Sequence, residues 1–341
     1  MAPSQSPNQS PPPPASATAA SPGPSASPVL ALLPIPIDAW RQGNTGIPFA
    51  HRLDSGKPGP SVTITALIHG NEVCGAHALD LLLRSGFRPL VGKLTLIFCN
   101  IAAYMRFDPQ EPTASRFVDE DMNRVWSEDV LRSSRSSVEL ERAREIEPLI
   151  RDTDLLLDIH SMQTPSPALM LSGPLPKGRE LARAVGVPNF VVADEGHKAG
   201  KRMRDYGDFS NPTSAKNALL VECGQHWAAD SRPMAIETML RFLKAAGQAD
   251  DAFLAQHGVA PMPAQTQHFV EVTDAVTIES NEFRFIGEFT GLESIAQAGT
   301  AIAQDGPVTI RTPYDDCVLI MPTRRLKAGQ TAVRLGRRLS A

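Results

Sequence analysis

The chain has 341 residues, 42% of them hydrophobic and 21% charged, with 33 Lys and Arg against 37 Asp and Glu for a formal net charge of −4. A chain of that length buries a core for one large domain or two smaller ones without a structural disulfide or metal. Its pI of about 6.1 excludes the basic surplus of a nucleic-acid groove. No apolar run approaches the roughly 18 residues of a membrane-spanning helix.

Residues Met1 to Ile37 carry no charged side chain and hold 11 of the 30 prolines. The run Pro11–Pro14 and the Ser/Ala/Pro alternation after it cannot bury a core or pair as strands, so residues 1–34 are expected to form a disordered arm. The arm has no Lys or Arg to open a signal peptide, and its apolar run Val29–Leu33 is short and flanked by prolines. Cys74, Cys99, Cys223 and Cys317 are widely spaced with no C-x-x-C pair, a pattern of free thiols rather than of a disulfide framework or thiolate zinc site. These features point to a cytoplasmic protein.

From about residue 35 the texture becomes that of an ordered α/β protein. Ser61–Ile68 is a β-branched run of strand length, followed by His69-Gly70-Asn71-Glu72 and an apolar helical stretch through Leu83 that Gly86 stops. Lys93–Cys99 reads as a second strand, Glu139–Ile150 as a helix and Asp154–Ile159 as a third strand. A helix near Arg179–Val185, strands at Phe190–Ala193 and Ala218–Glu222, and a helix from Pro233 to Ala246 follow. In the last helix Ile236, Met239, Leu240 and Leu243 keep the apolar stripe, with Ser231 as cap and Gly247 as stop.

Strands alternating with helices imply an α/β domain over residues 35–258, with a mixed, largely parallel sheet flanked by helices. Pro261-Met262-Pro263 reads as a linker. Residues 259–341 read as a small all-β domain, because 267–338 holds only short β-like runs broken by Gly, Asn and Asp. Arg324, Arg325, Lys327, Arg334, Arg337 and Arg338 there read as a solvated edge.

Titratable residues gather at the C-terminal ends of the predicted strands, the edge at which open α/β sheets bind ligands. His69 and Glu72 follow the first strand, His160 the third, and Glu222 ends the run ALLVE. Two imidazoles and a carboxylate suit Zn²⁺ and leave a fourth position open. Taken singly, His69 is equally a turn residue, Glu72 a helix-start acid favoured by the dipole, and His160 a hydrogen-bonded core histidine. Burial behind an apolar run would raise the pKa of Glu222 toward the value a general base needs; alone, it reads as a strand-end acid. Arg116, Asn123 and Arg124 fall on a predicted loop, and arginine recognises carboxylates and developing oxyanions. Asp119, Asp121 and Asn123 have the spacing of a calcium loop, but Arg124 stands where its turn needs glycine.

HGNE (His69–Glu72) followed by Gly75, DEDMNR (Asp119–Arg124), DIHS (Asp158–Ser161) and VECG (Val221–Gly224) together resemble the succinylglutamate desuccinylase/aspartoacylase family, which is related to the zinc carboxypeptidases. The likeness covers about residues 35 to 341. It implies one Zn²⁺ per chain held by His69, Glu72 and His160, and water activated by Glu222. It further implies that Arg116 polarises the scissile carbonyl and that Asn123 and Arg124 hold the substrate's α-carboxylate. Tyr206 stands near the place of a family tyrosine that helps fix the substrate. The arginine expected after it is replaced by Asn211, Pro212 or Thr213, with Lys201, Arg202 and Arg204 as nearby substitutes.

The implied reaction is hydrolysis of a small N-acyl amino acid at its amide bond. A carboxypeptidase-like or ester hydrolase with the same zinc site stands as the alternative, beside a non-catalytic binding protein that keeps the fold. The expected partner is a small molecule, not a nucleic acid or a membrane; a homo-oligomer stays open. His226, just past Glu222, is expected to support the site rather than to form it, and His51, His197, His257 and His268 read as surface residues.

Overall fold

A computed structural model describes residues 30–196, 199–261 and 267–339. The arm up to residue 29, His197, and the linker residues Met262 and Pro263 lie outside the described residues. The strands are β1 (Ala50–Asp54), β2 (Ser61–Ala66), β3 (Lys93–Phe98), β4 (Leu155–Met162), β5 (Leu169–Leu171), β6 (Phe190–Ala193), β7 (Asn217–Gln225), β8 (His268–Thr277), β9 (Arg284–Phe285), β10 (Glu293–Ile295), β11 (Ala301–Asp305), β12 (Val308–Arg311), β13 (Cys317–Ile320) and β14 (Thr331–Arg338). The helices are α1 (Cys74–Arg84), α2 (Ile101–Tyr104), α3 (Glu128–Leu131), α4 (Val138–Arg151), α5 (Pro176–Val185), α6 (Ser231–Ala245) and α7 (Asp251–Gln256).

Eleven strands form one sheet in the order β1-β3-β2-β4-β7-β5-β6-β8-β14-β13-β10, and β12-β11-β9 form a second. The centre, β3-β2-β4-β7, is parallel, whereas β1 and β5 pair antiparallel with β3 and β7. The fold is thus the expected mixed, largely parallel sheet flanked by helices, with antiparallel strands added at its C-terminal end. That addition crosses the boundary expected at residue 258: β8 pairs with β6 over four residues.

Alternation along the strands sorts side chains between the faces. Val62, Ile64, Leu157, Ile159, Leu219 and Val221 pack under α1 and α6, against Leu79, Leu82, Met239 and Leu240. The opposite face carries Leu156 and Ala218 against Leu140, Ala143 and Ile146 of α4. Helix α4 starts where it does because the Ser137 hydroxyl accepts from Leu140 N at 3.0 Å. On that face the alternation also points Asp158, His160 and Glu222 outward from the sheet.

Residues 30–34, within the arm expected to lack order, lie on the α/β body. Ala31 N and Leu32 N donate to Trp227 O at 3.0 and 2.9 Å, and Leu33 O meets His77 Nε2 at 2.8 Å. Leu32 and Ile37 are buried. The sequence reading missed β1, β5, α2, α3 and α7: β1 is a half-exposed edge strand, and the others are too short to show a period. Among the described residues no helix is long and apolar enough to cross a membrane.

Candidate metal and catalytic site

The HGNE block forms the turn between β2 and α1. Gly70 passes so close to the backbone of Ala103 and Tyr104 that a Cβ would overlap both, and its amide donates to Arg116 O at 3.1 Å. Only glycine permits that approach. The turn folds Glu72 back on His69, with Nδ1 2.7 Å from Oε1. His160 arrives from the end of β4, its Nδ1 2.8 Å from Glu72 Oε2. The three residues are buried, and one donor atom from each lies within 4.8 Å of the others.

Behind each imidazole stands a carboxylate. Asp158, two residues back on β4, meets His160 Nε2 at 2.8 Å and accepts from the Thr65 hydroxyl at 2.7 Å. Asp121 meets His69 Nε2 at 2.8 Å. Both rings therefore turn Nδ1 inward, with the outer nitrogen anchored in the way that raises ligand basicity. Burial works against the Glu72 charge, yet His69 and His160 hold its carboxyl well below the usual range. Burial likewise opposes a charge on His160, which Asp158 and Glu72 nonetheless raise well above the ordinary imidazole value. A divalent cation held by His69, Glu72 and His160 would answer the same charges with both imidazoles neutral. The donor set fits such an ion, of the kind that takes nitrogen and carboxylate ligands.

Glu222 is registered opposite His160 in the β4–β7 ladder. Its Oε2 is sealed from solvent with no hydrogen-bond partner. Burial, and then the charge of Glu72, push its carboxyl well above the usual range, against the pull of His160 and Arg116. A carboxyl so placed takes and returns protons more readily than an exposed one.

The loop over 116–124 closes the site. Arg116 donates to Glu72 Oε1 at 3.2 Å and to Asp121 Oδ2 at 3.1 Å; against burial, those two carboxylates raise its pKa. Asn123 is buried, its Oδ1 accepting from Met203 N at 3.0 Å. Arg124 donates to Asn123 O at 2.8 Å and stays 4.0 Å from Asp121. The loop owes its shape to Glu139, a residue the sequence reading saw only as part of a helix. Its Oε1 accepts from Val118 N and the Asn100 amide at 2.6 and 3.0 Å, and its Oε2 from Asp119 N and Glu120 N at 3.0 and 3.2 Å. An acid of that role leaves no local pattern, because its partners lie about 20 and 39 residues away.

Tyr206 is not brought to this cluster. Its hydroxyl is bound by Glu147, Glu128 and Arg151 on the α4 side, and its ring lies edge-on to Trp126. Arg202 and Arg204 are buried and committed as well: Arg202 to Asp194 and Asp205, Arg204 to Asp205 and the carbonyls of Ser172 and Ala218. Arg334, expected at a solvated edge, is buried and paired with Asp194 at 3.2 Å, because β14 lies inside the sheet rather than at its rim.

Residues 58–248 match the model of the succinylglutamate desuccinylase/aspartoacylase catalytic domain. The chain belongs to this family. Its members are deacylating hydrolases, so an enzyme of that kind is the coarse identity of the protein. No curated protein matches the sequence. Among solved structures, a succinylglutamate desuccinylase from Vibrio parahaemolyticus is 17% identical with a TM-score of 0.62, covering 86% of this chain and 87% of its own. The Chromobacterium violaceum succinylglutamate desuccinylase is 16% identical, TM-score 0.62, with 86% and 89% covered. A product-bound ectoine utilization protein, EutE (DoeB), from Ruegeria pomeroyi is 16% identical, TM-score 0.60, with 84% and 88% covered. At such identities the likeness speaks for the fold.

Proposed function

We propose that this family member is a zinc-dependent hydrolase that cleaves the amide bond of a small N-acyl amino acid. One observation carries the reading: the unpartnered, buried carboxyl of Glu222 stands opposite His160 in the ladder, beside the His69-Glu72-His160 donor set. Those three residues would hold the ion, which when bound supplies Lewis acidity toward the scissile carbonyl and lowers the pKa of attacking water.

The chain's own groups do the rest. Glu222 takes a proton from the attacking water on its carboxylate and returns it to the departing amine nitrogen. Arg116, held in place by Glu72 and Asp121, directs a guanidinium toward the charge that develops on the carbonyl oxygen. Arg124, with few of its donors filled, and the amide of Asn123 bind the substrate's carboxylate. Tyr206, with its hydroxyl spent on Glu128 and Glu147, has no part in this assignment. The four cysteines are free and buried, in keeping with a reducing cytoplasmic setting.

The test is metal content beside turnover of a panel of N-acetyl and N-succinyl amino acids, for wild type and Glu222→Gln. The expected result is about one zinc per chain in both proteins, with turnover lowered at least a hundredfold in the variant. Metal-free wild type, or full activity in Glu222→Gln, overturns the reading.

A further inference from the structure

Lys177 lies at the centre of a cluster that the mechanism above does not use. It stands in the first turn of α5, the positive end of a helix and the unfavourable one for an ammonium. Its Nζ turns away to meet four backbone carbonyls, donating to Asp208 O at 3.3 Å, Asn211 O at 2.8 Å, Ser214 O at 3.0 Å and Lys216 O at 2.6 Å. All four oxygens belong to one stretch, residues 208–216, just before β7. Burial and the charge of Arg204 oppose the ammonium, and the charge of Asp208 favours it.

The stretch is folded to aim those oxygens. Asn211 N donates to Asp208 O at 3.1 Å and Ser214 N to Asn211 O at 3.2 Å. Successive bonds across three residues bring carbonyls 208, 211 and 214 to one side, as in a 3₁₀ helix. The Asn211 side chain pins the second turn, its Oδ1 accepting from Thr213 N at 3.0 Å and Thr213 Oγ1 at 2.9 Å. Asn217, the first residue of β7, closes the circuit by donating its side-chain amide to Lys177 O at 2.8 Å. An ammonium has three N–H groups, one fewer than the oxygens around it. Carbonyl dipoles that converge on one point are the arrangement that replaces the water shell of a monovalent metal ion. Ammonium and K⁺ are near equals in size and charge, so the same oxygens suit either.

We propose that residues 208–216 fold as a cage for a monovalent cation, and that the Lys177 ammonium is its resident ion. The stretch needs a positive charge at its centre, and the chain supplies that charge itself instead of taking K⁺ from solution. The cage stands at the start of β7, the strand that carries Glu222. It also follows the segment whose Met203 N is held by Asn123 Oδ1, so it ties two parts of the candidate site to α5. The inference stands apart from the deacylase reading, and its test needs no substrate.

The experiment follows thermal unfolding of the full chain in equal concentrations of KCl and tetramethylammonium chloride, for wild type, Lys177→Ala and Lys177→Met. The first variant empties the cage, and the second fills it with an uncharged stem that leaves no room for an ion. The wild-type midpoint should be the same in both salts. Lys177→Ala should unfold at a lower temperature in tetramethylammonium and regain about 2–4 °C in K⁺, the gain growing with K⁺ concentration. Lys177→Met should lose stability and regain none of it. A Lys177→Ala chain that folds only in K⁺ supports the cage. The same midpoint in both salts for Lys177→Ala, or no folding in either, overturns the proposal. So does a K⁺ gain of equal size in wild type or in Lys177→Met, since neither has an empty cage to fill.

Discussion

Asp158 and Asp121 show how much of the candidate site is decided beyond its three donor residues. Each carboxylate fixes the outer nitrogen of a histidine whose inner nitrogen faces Glu72. Asp158→Asn keeps the shape but weakens the hold on His160, and zinc affinity should fall about 10- to 100-fold; competition with a chromophoric chelator measures it. On the proposed mechanism the ionised form of Glu222 is the working base, and because burial raises its pKa, kcat/KM should climb with pH and be lost as pH falls through that raised value. A pH profile should place the acid limb above the usual carboxylate range, and a limb at an ordinary glutamate value would remove burial as its cause. The candidate ligands and Glu222 are legible in the sequence, because His69 and Glu72 share one turn and His160 and Glu222 each end a run of strand type. The place of Tyr206 is not, since nothing in the chain near it shows that Glu147, 59 residues away, claims its hydroxyl.

At the scale of elements, the loop over 116–124 is held from outside itself. Glu139 at the first turn of α4 collects three consecutive backbone amides of the loop that carries Arg116 and Asp121. Replacing it with alanine leaves those amides without their acceptor and should destabilise the protein by about 2–3 kcal/mol. Activity should fall further than that loss of stability explains. Urea unfolding and kcat measured on the same preparation separate the two effects. The central strands are readable from residue order because parallel strands covered on both faces form short, near-continuous apolar runs. The half-exposed β1 and the three-residue β5 carry no such run.

For the molecule as a whole, the C-terminal strands continue the sheet rather than hang from it. Leu292, Val318 and Ile320 share a cluster with Met162, Leu171 and Leu220, and Arg334 on β14 pairs with Asp194 just past β6. A chain ended after Gly258 loses β8, one of the two partners of β6, and uncovers that cluster, so it should aggregate or lose cooperative unfolding. Size-exclusion chromatography with thermal unfolding tests this, and a monomer with a sharp transition would mean that residues 35–258 fold alone.

The α/β class follows from local periodicity, and the family resemblance with the ligand set it implies from four short motifs in order along the chain. Packing had to settle that Asp121 backs His69, that Glu139 builds the loop and that Arg334 is interior. Each of those depends on which faces come together across 20 to 140 residues, and the energy of such contacts is set by burial, which no single stretch of sequence encodes.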